Sequence, residues 1–477
     1  MKQPIFIFLI TIIMVQCTAV SQIDINTSEN KFIAVDTENR IILWNINDPQ
    51  FTKRKISKLN IDNQIFSFEN VQKISEEKTA ILLKDSIRYT LYPTSLPLIQ
   101  INANQPIADE PKTMARFKYA DKDTTFTANI GIELRGNLAL TYPKKSYDME
   151  FRENATSEES IDVQFGNMRK DDDWILIGLY NQPLKFRSYI TTKLWLDIYT
   201  PAYIEEEPKA KSAADVEFVE VFEAGQYKGL YLLGEQVDRK QLALKKMKEN
   251  EVRGELFSSK SYEDATKFLA APPFKNHLPR WSGFDMEYPY ENYESYFDNL
   301  HDFVSFVATA DEASFTSEIS NKIDIDNTVE YFLYVNIIRA TDNLGKNYFF
   351  GKYNTDTPYF FVPWDTDGTL GTVIDGRRSD ITYDILKNNL FERLLNTNAG
   401  DFKNKLKIRW AELRENQYSE KALIKSTESL YTSFNETHVY KREQDLWGNV
   451  GGQEDLDYTE QWLKNRIIYL DKYFNRL

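Results

Sequence analysis

Apolar and polar positions change rhythm three times along this chain. Up to about Tyr92, short runs rich in Ile, Val, Phe and Thr (32–35, 41–44, 79–83 and 87–91) alternate with charged and Asn-containing turns. That rhythm predicts a small all-β domain of short antiparallel strands over residues 22–95. Pro93-Thr94-Ser95-Leu96-Pro97 reads as its boundary. Beyond it Ile130, Ile132 and Leu134 alternate, Arg135-Gly136-Asn137 opens a loop, and Lys145, Tyr147, Met149 and Phe151 alternate again. Lys145 thereby shares a face with three apolar residues. Residues 174–179 predict a strand, and 183–198 predict a helix with Ile190, Leu194 and Ile198 at helical spacing. Two apolar runs, 216–222 and 227–233, flank Glu223-Ala224-Gly225-Gln226 and predict a hairpin. The mixed, charged stretch 240–290 predicts an irregular segment with short helices. Helices are expected over 293–307 and 326–339, the second with Asp326 as N-cap.

Next come the aromatic runs 348–353 and 359–362 around Asn354-Thr355-Asp356-Thr357, a second hairpin signal. After Gly371 the period is helical, with amphipathic stripes over 385–395, 402–412, 420–434 and 460–474. Strands first and helices last make an α+β protein with two lobes and a cleft over residues 96–477.

Composition narrows the setting. The chain has 477 residues, 42% of them hydrophobic and 14% aromatic, enough for a sizeable core. A formal charge of -14 argues against nucleic acid or an anionic membrane surface as the main partner. Residues 1–21 read as a signal peptide: Lys2, an apolar run at 5–15, then Ala19-Val20-Ser21. No other long apolar stretch exists, so no transmembrane segment is expected and the mature chain is expected in the periplasm, at the cell surface or secreted. Cys17 is the only cysteine, which excludes a disulfide, a thiolate zinc site and a cysteine nucleophile from the mature protein. It leaves a lipid anchor at Cys17 as an alternative, although Gln16 stands where a lipobox wants a small residue.

Candidate chemistry gathers at the second hairpin. If its turn centres near Thr355–Asp356, Asn347 falls opposite Trp364, close to Asp365, with Asp342 just before and Asp367 just after. Lys346 is the one nearby cation in sequence, so the cluster stays acidic. Carboxylates with an amide suit a hard divalent metal. They also suit phosphoryl transfer, where an aspartate takes the proton of the acceptor hydroxyl while an amide and a carboxylate hold metal on the phosphates. Lys145 is a candidate for the phosphates, and the loop at Arg135 precedes it. No GxGxxG and no GxxxxGK[ST] occurs. A rival reading takes the apolar run and Asp365-Thr366-Asp367-Gly368-Thr369 as motif I of haloacid-dehalogenase-like phosphatases, with Asp365 as phosphoacceptor. His277, His301 and His438 show no ligand spacing.

The chain resembles the spore-coat-protein-H-like (CotH) kinase family, whose fold is atypical protein-kinase-like. The resemblance covers roughly residues 96–477. It rests on Leu134-Arg135-Gly136-Asn137 with Pro143-Lys144-Lys145-Ser146-Tyr147, on Asp173-Trp174, and on Lys185-Phe186-Arg187-Ser188. Gly225-Gln226-Tyr227-Lys228-Gly229-Leu230 with Glu235, Asp342 with Asn347, and Val362-Pro363-Trp364-Asp365-Thr366-Asp367-Gly368 follow in the family order. Two helical motifs, at Arg409-Trp410 and at Trp462-Leu463, complete it. The resemblance implies a kinase that uses ATP and Mg²⁺ or Mn²⁺ and acts on Ser/Thr hydroxyls of a protein. It implies Asp342 as catalytic base, Asn347 and Asp365 as metal ligands with Asp367 in support, and Lys145 on the phosphates. Arg135 and Glu235 are further nucleotide-site candidates. This chain departs from the family at Leu138-Ala139-Leu140, where small hydroxyl residues are usual, and at Gln182, where an Asp is common. An inactive kinase-like binding module of the cell envelope is the alternative, and the phosphatase is a further one.

Overall fold

The computed structural model describes residues 21–477, apart from 52–54, 76–77, 158, 250, 276–277 and 290–295. The expected signal peptide, Cys17 and His277 lie outside the described residues. The described chain divides into two units, one up to Ser95 and one from Leu96.

The first unit is all β. Strands β1 (Ser21–Ile25), β2 (Ile33–Asp36), β3 (Ile41–Asn45), β4 (Lys55–Ile61), β5 (Gln64–Lys73), β6 (Ala80–Lys84) and β7 (Ile87–Thr94) form one sheet. Its order is β1-β4-β5-β6-β7-β3-β2. Ile33, Ile42, Trp44, Leu59, Leu82 and Leu91 fill its core. Pairing is not antiparallel throughout, as the short runs suggest. β1 lies parallel to β4 and β3 parallel to β7. The β4–β5–β6 meander supplies the crossover that parallel pairing of β3 with β7 requires.

In the second unit, alternation closes a barrel. Strands β8 (Leu98–Ala103), β9 (Thr113–Ala120), β10 (Thr125–Leu134), β11 (Tyr147–Arg152) and β12 (Asp173–Ile177) are followed by helix α1 (Arg187–Ile198). The hairpin β13 (Val216–Glu223) and β14 (Gln226–Glu235) completes the ring β10-β11-β12-β14-β13-β8-β9. One residue in two points inward: Ile132, Tyr147, Met149, Phe151, Trp174 and Leu233 belong to a packed interior. The opposite face is left for the rest of the unit.

A second sheet carries the acidic hairpin. It contains β15 (Glu255–Ser259), β16 (Arg280–Trp281), β17 (Phe284–Tyr288), β18 (Tyr348–Lys352) and β19 (Tyr359–Pro363), in the order β16-β17-β15-β18-β19. All its strand pairs are antiparallel. The stretch 240–290, expected to hold short helices, supplies β15, β16 and β17 instead. Leu256 and Phe257 are buried there, and the ladder to β18 decides against local helix. Around this sheet stand α2 (Asp298–Thr309), α3 (Glu312–Lys322) and α4 (Ile325–Ile338), then α5 (Asn389–Thr397), α6 (Phe402–Glu415), α7 (Glu420–Glu436), α8 (Val439–Trp447) and α9 (Gln453–Phe474). The pattern did not signal α3 or α8. Nor is Asp326 the cap of α4. Asp324 takes that place, its carboxylate accepting from Asn327 N at 3.0 Å, while Asp326 pairs with Lys405. Every residue of α4 except Asp326 is buried, so this helix is the spine of the unit rather than an amphipathic cover.

Candidate functional site

The hairpin β18–β19 fixes the site. Tyr348 pairs with Pro363, and Trp364 N donates to Asn347 O at 3.1 Å, so Asn347 does stand opposite Trp364. The turn closes from Thr357 N to Asn354 O at 3.1 Å. Buried Asn343 staples the open end, its Nδ2 donating to Asn347 O at 2.5 Å and Trp364 O at 2.8 Å. Asn347 and Asp365 both take left-handed backbone, at φ 58 and 49. That region suits Asn and Asp better than other L residues. Both residues leave the strand direction there. Asn347 Nδ2 lies 3.4 Å from Asp365 O.

The chain leaves α4 through Arg339, also left-handed at φ 54, and enters a short turn, Asp342–Leu344. Asp342 is half-buried, and burial raises its pKa against the pull of Lys346. Asp365 is open to the cavity yet hemmed in by protein. Burial raises its pKa, Arg135 and Lys346 oppose, and Asp342 adds to the rise. Asp367 is pushed up to about 7 by burial and by the charge of Asp365. Asn181 Nδ2 donates to its Oδ2 at 2.5 Å, and Arg187 also offsets the rise.

These groups line one cavity of about 550 Å³ together with Arg135 and Asn137. That volume is in the range of small-molecule sites. Arg135 holds its guanidinium 5.8 Å over the Trp364 ring, facing the field of Asp365. Ile175, Ile177 and Val216 form an apolar wall from the outer face of the barrel. Asp342 raises the pKa of Asp365, and both raise that of Asp367; three such carboxylates with an amide beside them fit a hard divalent cation. A tighter acidic trio exists at Asp162, Asp171 and Asp172, with oxygens within 4.8 Å of one another. Arg169 pairs with its Asp171, and Lys240 with its Asp171 and Asp172, which offsets part of the charge.

Of the sequence candidates, Lys145 lies away from the cavity, and Glu235 lines it with its oxygens already engaged. Lys145 does not line the cavity, and its Nζ donates to Leu140 O at 2.7 Å. The face it shares with Tyr147, Met149 and Phe151 is the barrel interior, which aromatic rings fill. The cleft uses the other face, that of Ser146, so Lys144 is the lysine on the cavity side. Lys144 is itself buried, bonded to Leu230 O and to Glu443 Oε1, each at 2.7 Å. Glu235 lines the cavity, but its oxygens are taken by Arg169 N, Lys211 Nζ, Asp215 N and Gln241 Nε2. That carboxylate fastens the barrel end. His301 and His438 do not line the cavity.

The sequence profile of the family described as CotH kinase protein matches residues 132–470. The chain belongs to the CotH kinase protein family. Among curated proteins, inner spore coat protein H of Bacillus subtilis (strain 168) is 25% identical over 258 residues, 54% of this chain. That stretch spans 62% of the relative's length. The CotH match starts inside β10, includes the loop of Arg135, both hairpins and α8, and ends within α9. Asn181 and Glu443 are the CotH-region residues that sequence reasoning did not name, and Lys144 and Lys185 entered it only as parts of motifs, without a role. For Lys144 the signal was present, since it alternates with Ser146. Asn181 sits in an ordinary turn and Glu443 in a charged run, and neither pattern marks them.

Proposed function

We propose that this chain is an ATP-dependent kinase that phosphorylates Ser or Thr hydroxyls of an envelope or extracellular protein, with Mg²⁺ or Mn²⁺. The observation that carries it is the convergence of Asp342, Asn347, Asp365 and Asp367 on one cavity facing Arg135. In this reading Asp342 orients the acceptor hydroxyl and takes its proton. The oxygen forms its bond to the γ-phosphorus as the bond to the β–γ bridging oxygen breaks, and ADP leaves. A carboxyl with a raised pKa is a stronger base at neutral pH than an ordinary aspartate. Arg135 supplies fixed positive charge against the phosphates, and its ring contact with Trp364 holds it there. Asn347, Asp365 and Asp367 would hold the divalent cation, which neutralises phosphate charge. Asn181 orients Asp367.

Two observations favour the inactive kinase-like module instead. Neither Lys144 nor Lys145 brings its ammonium into the cavity, and Leu138-Ala139-Leu140 replaces hydroxyl residues in the covering loop. The phosphatase reading loses its footing, because Asp365 follows a strand of an antiparallel sheet rather than opening a parallel α/β unit. An external location agrees with the signal-like N-terminus and with the coat protein relative. The decisive experiment is transfer from γ-labelled ATP with Mn²⁺ to a Ser/Thr-rich acceptor. Asp365→Ala should abolish metal-dependent nucleotide binding. Asp342→Asn should keep binding and slow transfer about 10²–10⁴-fold. Wild type that neither binds Mn²⁺–ATP nor transfers phosphate would leave the inactive module.

A further inference from the structure

Behind the cavity lies an ion cluster with no role in the chemistry above. Glu443 of α8 is fully buried, as are Lys144 and Lys185. Its Oε1 accepts from Lys144 Nζ at 2.7 Å and from Leu230 N at 2.6 Å. Its Oε2 faces Lys185 Nζ at 3.7 Å. The arrangement requires Gly229, where a Cβ would stand 1.9 Å from Glu443 Oε1. Buried charges are tolerated only when paired, and one carboxylate here serves two ammoniums. Burial and the charge of Lys144 bring Lys185 down to about 7, against the pull of Glu443.

Each lysine ends a different loop that lines the cavity. Lys144 ends the loop that starts at Arg135. Lys185 ends the loop that carries Asn181, the partner of Asp367. The segment 439–451 holds that second loop at further points. Tyr440 Oη donates to Leu184 O at 2.8 Å, Asn449 Nδ2 to Tyr180 O at 2.7 Å, and Gly451 N to Pro183 O at 3.0 Å. Lys185 Nζ also donates to Asn449 Oδ1 at 3.1 Å. The two loops meet each other where Tyr142 and Tyr180 pack at 5.0 Å. Docking of α8 itself has a separate anchor: Arg442 with Glu220, and with Tyr227 Oη at 3.0 Å.

We infer that Glu443 is a positioning residue. Through Lys144 and Lys185 it sets the Arg135 loop and the Asn181 loop around the acidic cluster, so that the segment 439–451 governs assembly of the nucleotide site. The nucleotide part of this inference rests on the kinase reading. The loop-setting part does not.

Full-length wild type, Glu443→Gln, Tyr440→Phe and Tyr227→Phe should be compared by amide hydrogen exchange and by Mn²⁺–ATP titration. Glu443→Gln should speed exchange at residues 135–144 and 179–185 and weaken Mn²⁺–ATP binding by about ten-fold or more. Tyr440→Phe should speed exchange at 179–185 alone, and it decides the matter if Glu443→Gln does not fold. Tyr227→Phe, which perturbs the Arg442 anchor, should lower Tm while leaving both loops and nucleotide affinity unchanged. Unaltered loop exchange in Glu443→Gln (or in Tyr440→Phe, should it have to stand in) overturns the inference, as does equal loosening by Tyr227→Phe. A wild type that binds no Mn²⁺–ATP refutes the kinase reading alone, because loop exchange reads Glu443 without nucleotide.

Discussion

Asp367 shows how much of this site rests on a neighbour. Its carboxylate is held by Asn181, whose Nδ2 also donates to Ile374 O at 2.7 Å and whose backbone O accepts from Arg187. One residue thus links Asp367 and the segment after it, through its side-chain amide, to the start of α1, through its backbone oxygen. Asn181→Ala should weaken Mn²⁺-dependent nucleotide affinity by about ten-fold and leave Tm nearly unchanged. Equal affinity in a nucleotide titration would remove Asn181 from the site. At this scale the sequence was partly readable. The partners Asn347 and Trp364 could be named because a hairpin's turn sets its register. Which of Lys144 and Lys145 faces the cleft could not, because the alternation of β11 says that two faces exist but not that the apolar one closes into a barrel.

Elements meet through buried charge, and that is where periodicity loses its power. The helix α8 escaped notice because two of its inward residues, Arg442 and Glu443, look like surface charges in a sequence. The strands between 240 and 290 were masked by their long connecting loops. The α4–α6 contact gives a pH-dependent case. Glu330 Oε1 accepts from Arg409 Nε at 2.5 Å, yet burial outweighs this partner and pushes the carboxyl up to about 7. Between its ordinary value near 4.5 and 7 the folded chain binds more protons here than the unfolded one. The contribution of Glu330 to stability is therefore present in full below that window and lost as pH rises through it. The Tm of wild type relative to Glu330→Gln should fall between about pH 5 and pH 8. A constant difference in calorimetry would contradict the assignment.

At the scale of the molecule, each unit has its own core: Ile42, Trp44 and Leu91 in the first, and the barrel and helical clusters in the second. Calorimetry should therefore resolve two transitions. Saturating Mn²⁺–ATP should raise only one of them, since a ligand stabilises the unit that binds it. One transition that shifts as a whole would show the units to be coupled. The α+β class was legible from the order of periods along the chain, and so was the helical second half. Barrel closure was not, because it depends on a pairing remote in sequence.

That remote pairing also sets an order of events. β8 pairs with β13 through Leu98 and Glu220, so the first strand of the barrel waits for nearly the last. A chain synthesised from its N-terminus exposes one edge of β8 throughout that interval, and an unpaired edge is a template for another chain. Fragments that stop before β13 should self-associate, whereas fragments that include β14 have every barrel edge paired.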